Sequence, residues 1–311
     1  MIRSIVPTDM LRLSLQDGSL SNYAKRRDEL FITKETRISL AVNLLSLWVS
    51  RGTQKIWIAT DKTEVGGLIS PRNRYGSNAW EIDHLLLSEA NSHSCFGLLK
   101  ILSIIGGEQG ITKLFLRLCS NSSLVDAAKS EGFSCYLSEH LYQWDQEQDK
   151  SNGQRSQPTW SCIRRHKETS DEYGLYGIYR DCAPQALQII EGVNFKEWQG
   201  MKIKDEGRNW KTEWVYEKQG NLVGWVRIKR EANTGQFEAM VAPEGDSEHL
   251  LSYTIKSLSG CNQIHCLVPE YQNSLRNILE DYGFCQVDEY SDMVKELAVR
   301  ADNPYLAPQQ A

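Results

Sequence analysis

The sequence predicts an α+β (mixed α/β) protein made of one unit built twice, and three observations carry that prediction. Residues 274–287, SLRNILEDYGFCQV, echo residues 123–136, SLVDAAKSEGFSCY, sharing a Ser-Leu start, a helix-like run and a Gly-Phe end. Upstream, Trp57 and Trp214, Gly67 and Gly224, Trp80 and Phe237, and Glu81 and Glu238 each stand 157 residues apart, the constant spacing that a duplication requires. Strand-like and helix-like periods follow one another in the same order in both copies. Two unrelated domains with chance matches would not keep that order and that spacing together.

Each copy opens on an Ile-Arg strand, after which Thr8-Asp9 and Ser170-Asp171 offer N-capping side chains to a helix. KIWIATDKTEVGGLIS and EWVYEKQGNLVGWVRI then read as two apolar strands joined by a polar turn, a β-hairpin. A third strand follows, WEIDHLLL in the first copy and FEAMVAP in the second. Next, Leu98, Ile101, Leu102 and Ile105 fall at i, i+3, i+4 and i+7 of an amphipathic helix expected to stop at Gly106-Gly107. KLFLRL is a short buried strand. The Ser-Leu helix after it carries the stripe Leu275, Ile278, Leu279 and Tyr282 in the second copy, so Tyr282 reads as core. Gly132 and Gly283 are only 151 residues apart, so the second copy has lost six residues between its third strand and this helix. The division expected is 1–147 for the first domain, 148–159 for a polar linker, 160–300 for the second domain and 301–311 for a frayed tail.

A chain of 311 residues, 41% hydrophobic and 24% charged, can build one large or two medium domains with their own cores. No apolar run approaches the roughly 20 residues that cross a bilayer, and MIRSIVPTDM lacks the apolar stretch of a signal peptide. A cytoplasmic location is expected. The eight cysteines are scattered without a C-x-x-C pair, and Cys261, His265 and Cys266 match no common zinc spacing, so neither a disulfide framework nor a metal is expected. Net charge is −5, and Lys25-Arg26-Arg27 and Lys229-Arg230 are short basic runs that read as solvated faces, so no nucleic-acid or membrane partner is expected.

The order of elements, with the residues quoted, resembles the GNAT superfamily of N-acetyltransferases, as a tandem, two-copy member with degenerate motifs. The resemblance implies, in each copy, a mixed twisted sheet flanked by helices. It also implies acetyl-CoA (acyl-CoA) as cofactor and a small-molecule or peptide amine as acceptor. In the family a central strand feeds a Q/R-x-x-G-x-G/A loop whose amides, at a helix start, hold the pyrophosphate; glycines allow the close approach and the helix dipole favours the anion. On the first copy that pattern falls on Ser92, His93, Ser94, Cys95, Phe96 and Gly97, preceded by Leu86 and Leu87 on the strand. Only Gly97 matches, with Cys95 where the middle glycine is expected. Asn121, eleven residues before Gly132, matches an Asn that bonds the pantetheine arm or the local backbone. The second copy reads PEGDSEHLL, and its Glu244, Asp246 and Glu248 would repel a pyrophosphate. The cofactor is therefore expected at the N-terminal copy only.

The resemblance also implies a tyrosine general acid four residues before the Gly of Gly-Phe, where this chain has Ala128 and Leu279. Glu81 matches the glutamate base of histone-acetylating relatives, with Asp83 on the same strand face and Glu238 as its counterpart. His84 points the other way and reads as an interior group, while His93 is either a phosphate contact or an exposed polar residue. Trp198, Trp210, Trp214 and Trp225 read chiefly as core, with an aromatic-lined substrate cleft as the alternative. Two functions stand at this point. One is an acetyl-CoA-dependent N-acyltransferase that works mainly by holding reactants together. The other is a catalytically silent tandem fold that binds a ligand or partner. Two fused copies can also form a pseudo-dimer within one chain.

Overall fold

A computed structural model describes residues 1–6, 8–9, 12–13, 20–25, 27, 56–61, 64–74, 78–88, 92–146, 163–191, 194–199, 210 and 212–298. The expected linker 148–159 and tail 301–311 lie outside the described residues. The first half runs β1 (Ile2–Ser4), β2 (Leu20–Asn22), β3 (Trp57–Asp61), β4 (Glu64–Asn73), β5 (Ala79–Ser88), α1 (Ser92–Glu108), β6 (Lys113–Cys119), α2 (Leu124–Ser130) and β7 (Ser134–Asp145). The second runs β8 (Ile163–His166), a 3-10 turn (Thr169–Asp171), α3 (Glu172–Cys182), α4 (Gln185–Glu191), β9 (Thr212–Lys218), β10 (Asn221–Glu231), β11 (Thr234–Val241), α5 (Ser247–Ser257), β12 (Gln263–Pro269), α6 (Asn273–Asp281) and β13 (Cys285–Glu296).

The duplication extends to individual contacts. In the first half Arg3 donates two hydrogen bonds to Asp9, at 2.6 and 2.7 Å, and the same carboxylate accepts the amide of Val6 at 2.9 Å. In the second, Arg165 binds Asp171 at 2.7 and 2.6 Å and the amide of Glu168 donates to it at 2.7 Å. The aspartates thus bond backward to the amide three residues before them, in the second half as the distal member of a capping box with Glu168, and the Asp171 side chain makes no cap bond to the helix that follows. Gly67 and Gly224 both admit a helix leucine, since a Cβ on them would lie 3.1 Å from Leu98 and 3.0 Å from Leu250. The Gly-Phe echo is a repeated helix stop. Gly132 and Gly283 sit at φ +88° and +81°, and the amides of Phe133 and Phe284 donate back to the carbonyls of Ala128 (3.1 Å) and Leu279 (3.0 Å). Both phenylalanines are buried.

One detail differs from expectation, and another is located more closely. Helix α1 continues through Gly106-Gly107 to Glu108 and ends at Gly110, which takes φ +76°. Gly106 is kept small by packing, since a Cβ there would meet Leu297 at 2.9 Å. The six-residue loss falls in the helix itself, 17 residues long as α1 and 11 as α5.

Among the described residues the strands form one sheet, in the order β1-β3-β4-β5-β6-β13-β7-β12-β11-β10-β9-β8. The last strand of each half has crossed over. β13 pairs antiparallel with β6, β7 pairs antiparallel with β12, and the two exchanged strands pair with each other at the centre. Each carries core residues with it: Met293 of β13 packs with Leu114 and Leu116 in the first half, and Tyr142 of β7 packs with Phe237 and Phe284 in the second. Burying a side chain of this size is worth roughly 1.5–3 kcal/mol, so each core depends on a strand that its own half does not keep.

Candidate functional site at the seam of the two halves

Strands β5 and β6 run parallel and pair only from Ala79–Glu81 to Lys113–Phe115; beyond those three positions they diverge. β11 and β12 do the same after Phe237 and Cys266. Each half therefore has a split between its two middle strands, and each split opens from a vertex marked by a glutamate, Glu81 or Glu238.

The two vertices face one cavity of about 280 Å3. Its wall alternates charge. On neighbouring strands Arg72 is directly opposite Glu81, and Arg227 directly opposite Glu238. The first pair bonds at 2.9 and 3.1 Å and the second at 2.8 and 3.0 Å. At the exchanged strands Arg117 of β6 clamps Asp292 of β13 at 2.7 and 3.1 Å and approaches Glu139 of β7 at 2.6 Å. Arg27 reaches the other oxygen of Glu139 at 2.8 Å. Arg74 binds Glu191 at 3.2 Å, whose second oxygen accepts from the Tyr179 hydroxyl. Phe115, Tyr136, Tyr179, Trp198, Trp225 and Tyr271 supply aromatic surface between these groups.

The charges set the protonation states. Burial pushes the Glu81 carboxyl up, but Arg72, Arg74 and Arg117 outweigh it and hold the group below the usual carboxylate range. Burial likewise opposes ionisation of Glu139, which Arg117 and Arg27 keep low. Asp292 goes the other way: burial, reinforced by Glu139 and only partly offset by Arg117, pushes it up to about 7. The buried phenol of Tyr136 is raised well above its ordinary value and stays protonated.

The residues expected from sequence fall in two places. Glu81 lines the cavity with 32% of its side chain open. Asp83, on the same face, is buried 3.6 Å from Arg72 and is not part of the cavity wall. His84 is interior, as expected. Trp198 and Trp225 line the cavity, Trp210 lies under Arg227 at 4.3 Å, and Trp214 stacks with His166. Ala128 and Leu279 are fully buried and offer no proton. Tyr282 packs against the second core.

Residues 92–97 open α1 at the far end of the first split; the side chain of Ser92 lies outside the described residues. His93 is exposed. Ser94 and Phe96 are half-buried. Cys95 is buried, which pushes its thiol up to about 12. Gly97 is accounted for by packing, since a Cβ there would lie 2.8 Å from Ile2. Asn121 is exposed in the turn after β6.

One element in the first split had no sequence signal. β2 pairs antiparallel with the free edge of β5, Leu20 with Ser88, Ser21 with Leu87 and Asn22 with Leu86. The chain continues across the gap: the amide of Tyr23 donates to the Leu85 carbonyl, the Asn22 side chain accepts from the Leu85 amide, and the amide of Lys25 donates to the Arg117 carbonyl on β6. Residues 20–25 thus form a wedge between β5 and β6, with Ala24 fully buried. They pair the stretch of β5 that contains Leu86 and Leu87, and the same segment goes on to supply Arg27 to the cavity. In the second half no strand among the described residues covers that edge of β11. There Asp246 caps α5 itself, accepting from the His249 amide at 2.9 Å, and Glu248 follows in the first turn.

This architecture, with paired middle strands that split above a helix start, twice in one chain, can be set beside solved structures. The chain is similar to a GCN5-related N-acetyltransferase from Sphaerobacter thermophilus, at TM-score 0.58 and 13% identity over 95% of each chain. It is also similar to a tandem GNAT protein from the clavulanic acid biosynthesis pathway, at TM-score 0.54 and 12% identity over 95% of this chain and 98% of that one. The chain has the tandem GNAT fold. A GCN5-related N-acetyltransferase from Anabaena variabilis matches at TM-score 0.50 and 10% identity over 88% of this chain and 72% of that one. No protein-family profile and no curated protein sequence matches the chain. At these identities the shared property is the GNAT fold.

No helix among the described residues is long and apolar enough to cross a membrane. No group of three or more metal-ligating side chains comes together among them. The sequence located Glu81, Glu238 and the tryptophans of the cavity, and singled out Gln272 only as the second-copy counterpart of Asn121, but missed Arg72, Arg227, Arg117, Glu139 and Asp292. Arg72 and Arg227 are directly opposite their glutamates on the adjacent strand, a pairing that would be readable once the register of the second and third strands is known. The others come together through strand exchange, which leaves no local pattern.

Proposed function

We propose that this protein is an acyl-CoA-dependent N-acyltransferase, using acetyl-CoA held by the first half and acting on a small amine. The observation that carries the reading is the split between β5 and β6, which leads to the N-terminus of a 17-residue helix with no acidic residue in its first turn. Such a helix start favours a phosphate, whereas Asp246 and Glu248 disfavour it in the second half. Leu86 and Leu87 would flank the pantetheine arm, residues 92–97 the pyrophosphate, and Asn121 the far wall. The cavity is at the low end of the roughly 300–1,000 Å3 of small-molecule pockets, so it suits an acceptor and excludes the cofactor.

The amine arrives as an ammonium, and Glu81 takes its hydrogen bond. Held ionised by Arg72, Glu81 is a weak base and passes the proton to water. When bound, acetyl-CoA would supply its acyl group as a thioester to this neutral nitrogen, which would give up its remaining excess proton to solvent while the departing thiolate takes one up. Most of the acceleration comes from juxtaposition. Asp83 orients Arg72 from beneath. The exchange of β7 and β13 supports reading residues 1–147 and 160–300 as an intrachain pseudo-dimer.

A second reading, a catalytically silent GNAT fold that binds a ligand, is favoured by the wedge of residues 20–25, because acyl-CoA can reach β5 only after β2 unpairs. One experiment separates the two. The full chain is titrated with acetyl-CoA by calorimetry and then assayed for thiol release over a panel of amines. Saturable binding with amine-dependent release is expected; absence of both removes the acyltransferase reading.

A further inference from the structure

We infer that the seam cavity is a binding site for a free aromatic amino acid, held as its zwitterion by both halves; its role as acyl acceptor rests on the reading above.

Charge balance comes first. The charged wall residues are five arginines (Arg27, Arg72, Arg74, Arg117, Arg227) and five carboxylic acids (Glu81, Glu139, Glu191, Glu238, Asp292), joined in the ion pairs described; their charges balance where Asp292 is ionised, above about pH 7. A ligand with one net charge would leave an uncompensated charge among partly buried ion pairs, which is costly. A ligand carrying one ammonium and one carboxylate preserves the balance and can bond to both signs. Arg74 has Glu191 and Tyr136 as its hydrogen-bonding partners, while a guanidinium has five N–H donors. It therefore retains donors for a carboxylate.

A second, independent observation is Gln272. This side chain is 7% exposed and lines the cavity, and its Oε1 has no hydrogen-bond partner among the described residues. A buried amide oxygen without a donor is costly, and an ammonium would supply that donor. The uncharged wall mixes six aromatic side chains with aliphatic ones, and Trp198 and Trp225 among them are buried. Rings at this spacing between charges suit a flat apolar side chain.

The test is calorimetric titration of the full chain, without acyl-CoA, with L-phenylalanine, L-tyrosine and L-tryptophan. Two matched probes each lack one charge, 2-phenylethylamine and 3-phenylpropanoate. The expected result is saturable binding of at least one amino acid, at least tenfold tighter than either matched probe. Gln272→Leu should weaken it fivefold or more, and Ala239→Trp, which fills the cavity from β11, should abolish it. The proposal is overturned if none of the three amino acids binds, if a singly charged probe binds as tightly, or if Ala239→Trp leaves affinity unchanged. Amino-acid binding without thiol release would remove the acyltransferase reading and leave the site. Thiol release with another amine and no amino-acid binding would do the reverse.

Discussion

Arg3–Asp9 and Arg165–Asp171 show what one carboxylate can hold: a bidentate guanidinium and a backbone amide, with Asp9 fully buried and Asp171 nearly so. The arginine hydrogen bonds hold both aspartates below the usual carboxylate range. Asp9→Asn and Asp171→Asn are each expected to lower stability by about 1–3 kcal/mol, read as a lower urea midpoint at pH 7. Asp292 behaves oppositely. Its folded value of about 7 lies above the roughly 3.9 of an unfolded aspartate. The folded state therefore binds the extra proton between those values, and stability from this group is complete below about pH 4 and lost as pH rises through about 7. Wild-type unfolding free energy should carry a downward component of at most about 1.4 kcal/mol per pH unit across that window. Asp292→Asn, which mimics the protonated form, should lack it. Below about pH 4 the depressed carboxyls Asp9, Asp171, Glu81 and Glu139 take over, and their contribution is lost as pH falls.

At the scale of elements, the most consequential piece is a three-residue strand. β2 is too short to be stable by itself, and its sequence, LSN, carries no strand period. It exists because the splitting of β5 from β6 leaves a row of unpaired backbone groups that must find partners. Weakening it should expose that edge. Asn22→Ala removes the side-chain acceptor of the Leu85 amide and is expected to raise acetyl-CoA affinity several-fold in calorimetric titration of the full chain. Unchanged or reduced affinity would show that the wedge is not what limits access. Helix α5 tells the complementary story: shortened by six residues relative to α1, it has its His249 amide taken by Asp246 and carries Glu248 in its first turn, so its start disfavours a phosphate.

At the scale of the whole molecule, exchange of β7 and β13 makes each half's sheet depend on the other's last strand. The seam is also where Arg117, Asp292 and Glu139 meet. Loss of either half would therefore strip a core strand from its neighbour. Thermal unfolding followed by scanning calorimetry should show one transition with calorimetric and van't Hoff enthalpies in agreement. Two separated transitions would mean that the halves are energetically independent despite the shared sheet.

The sequence by itself determined what is repeated and local: element types and order, the Gly-Phe helix stops, the acidic start of α5, the missing tyrosines at Ala128 and Leu279, and Glu81 with its counterpart Glu238. These were readable because hydrophobic period, glycine conformation and constant spacing act within a few residues or recur at fixed distance. Only the tertiary structure decided that the two splits open on one cavity, that β2 wedges the first of them, and that arginines from both halves neutralise the glutamates. The reason is physical. Strand exchange brings together Arg117 and Asp292, 175 residues apart in the chain, through backbone pairing that many sequences could support, so neither residue carries a local mark of its partner.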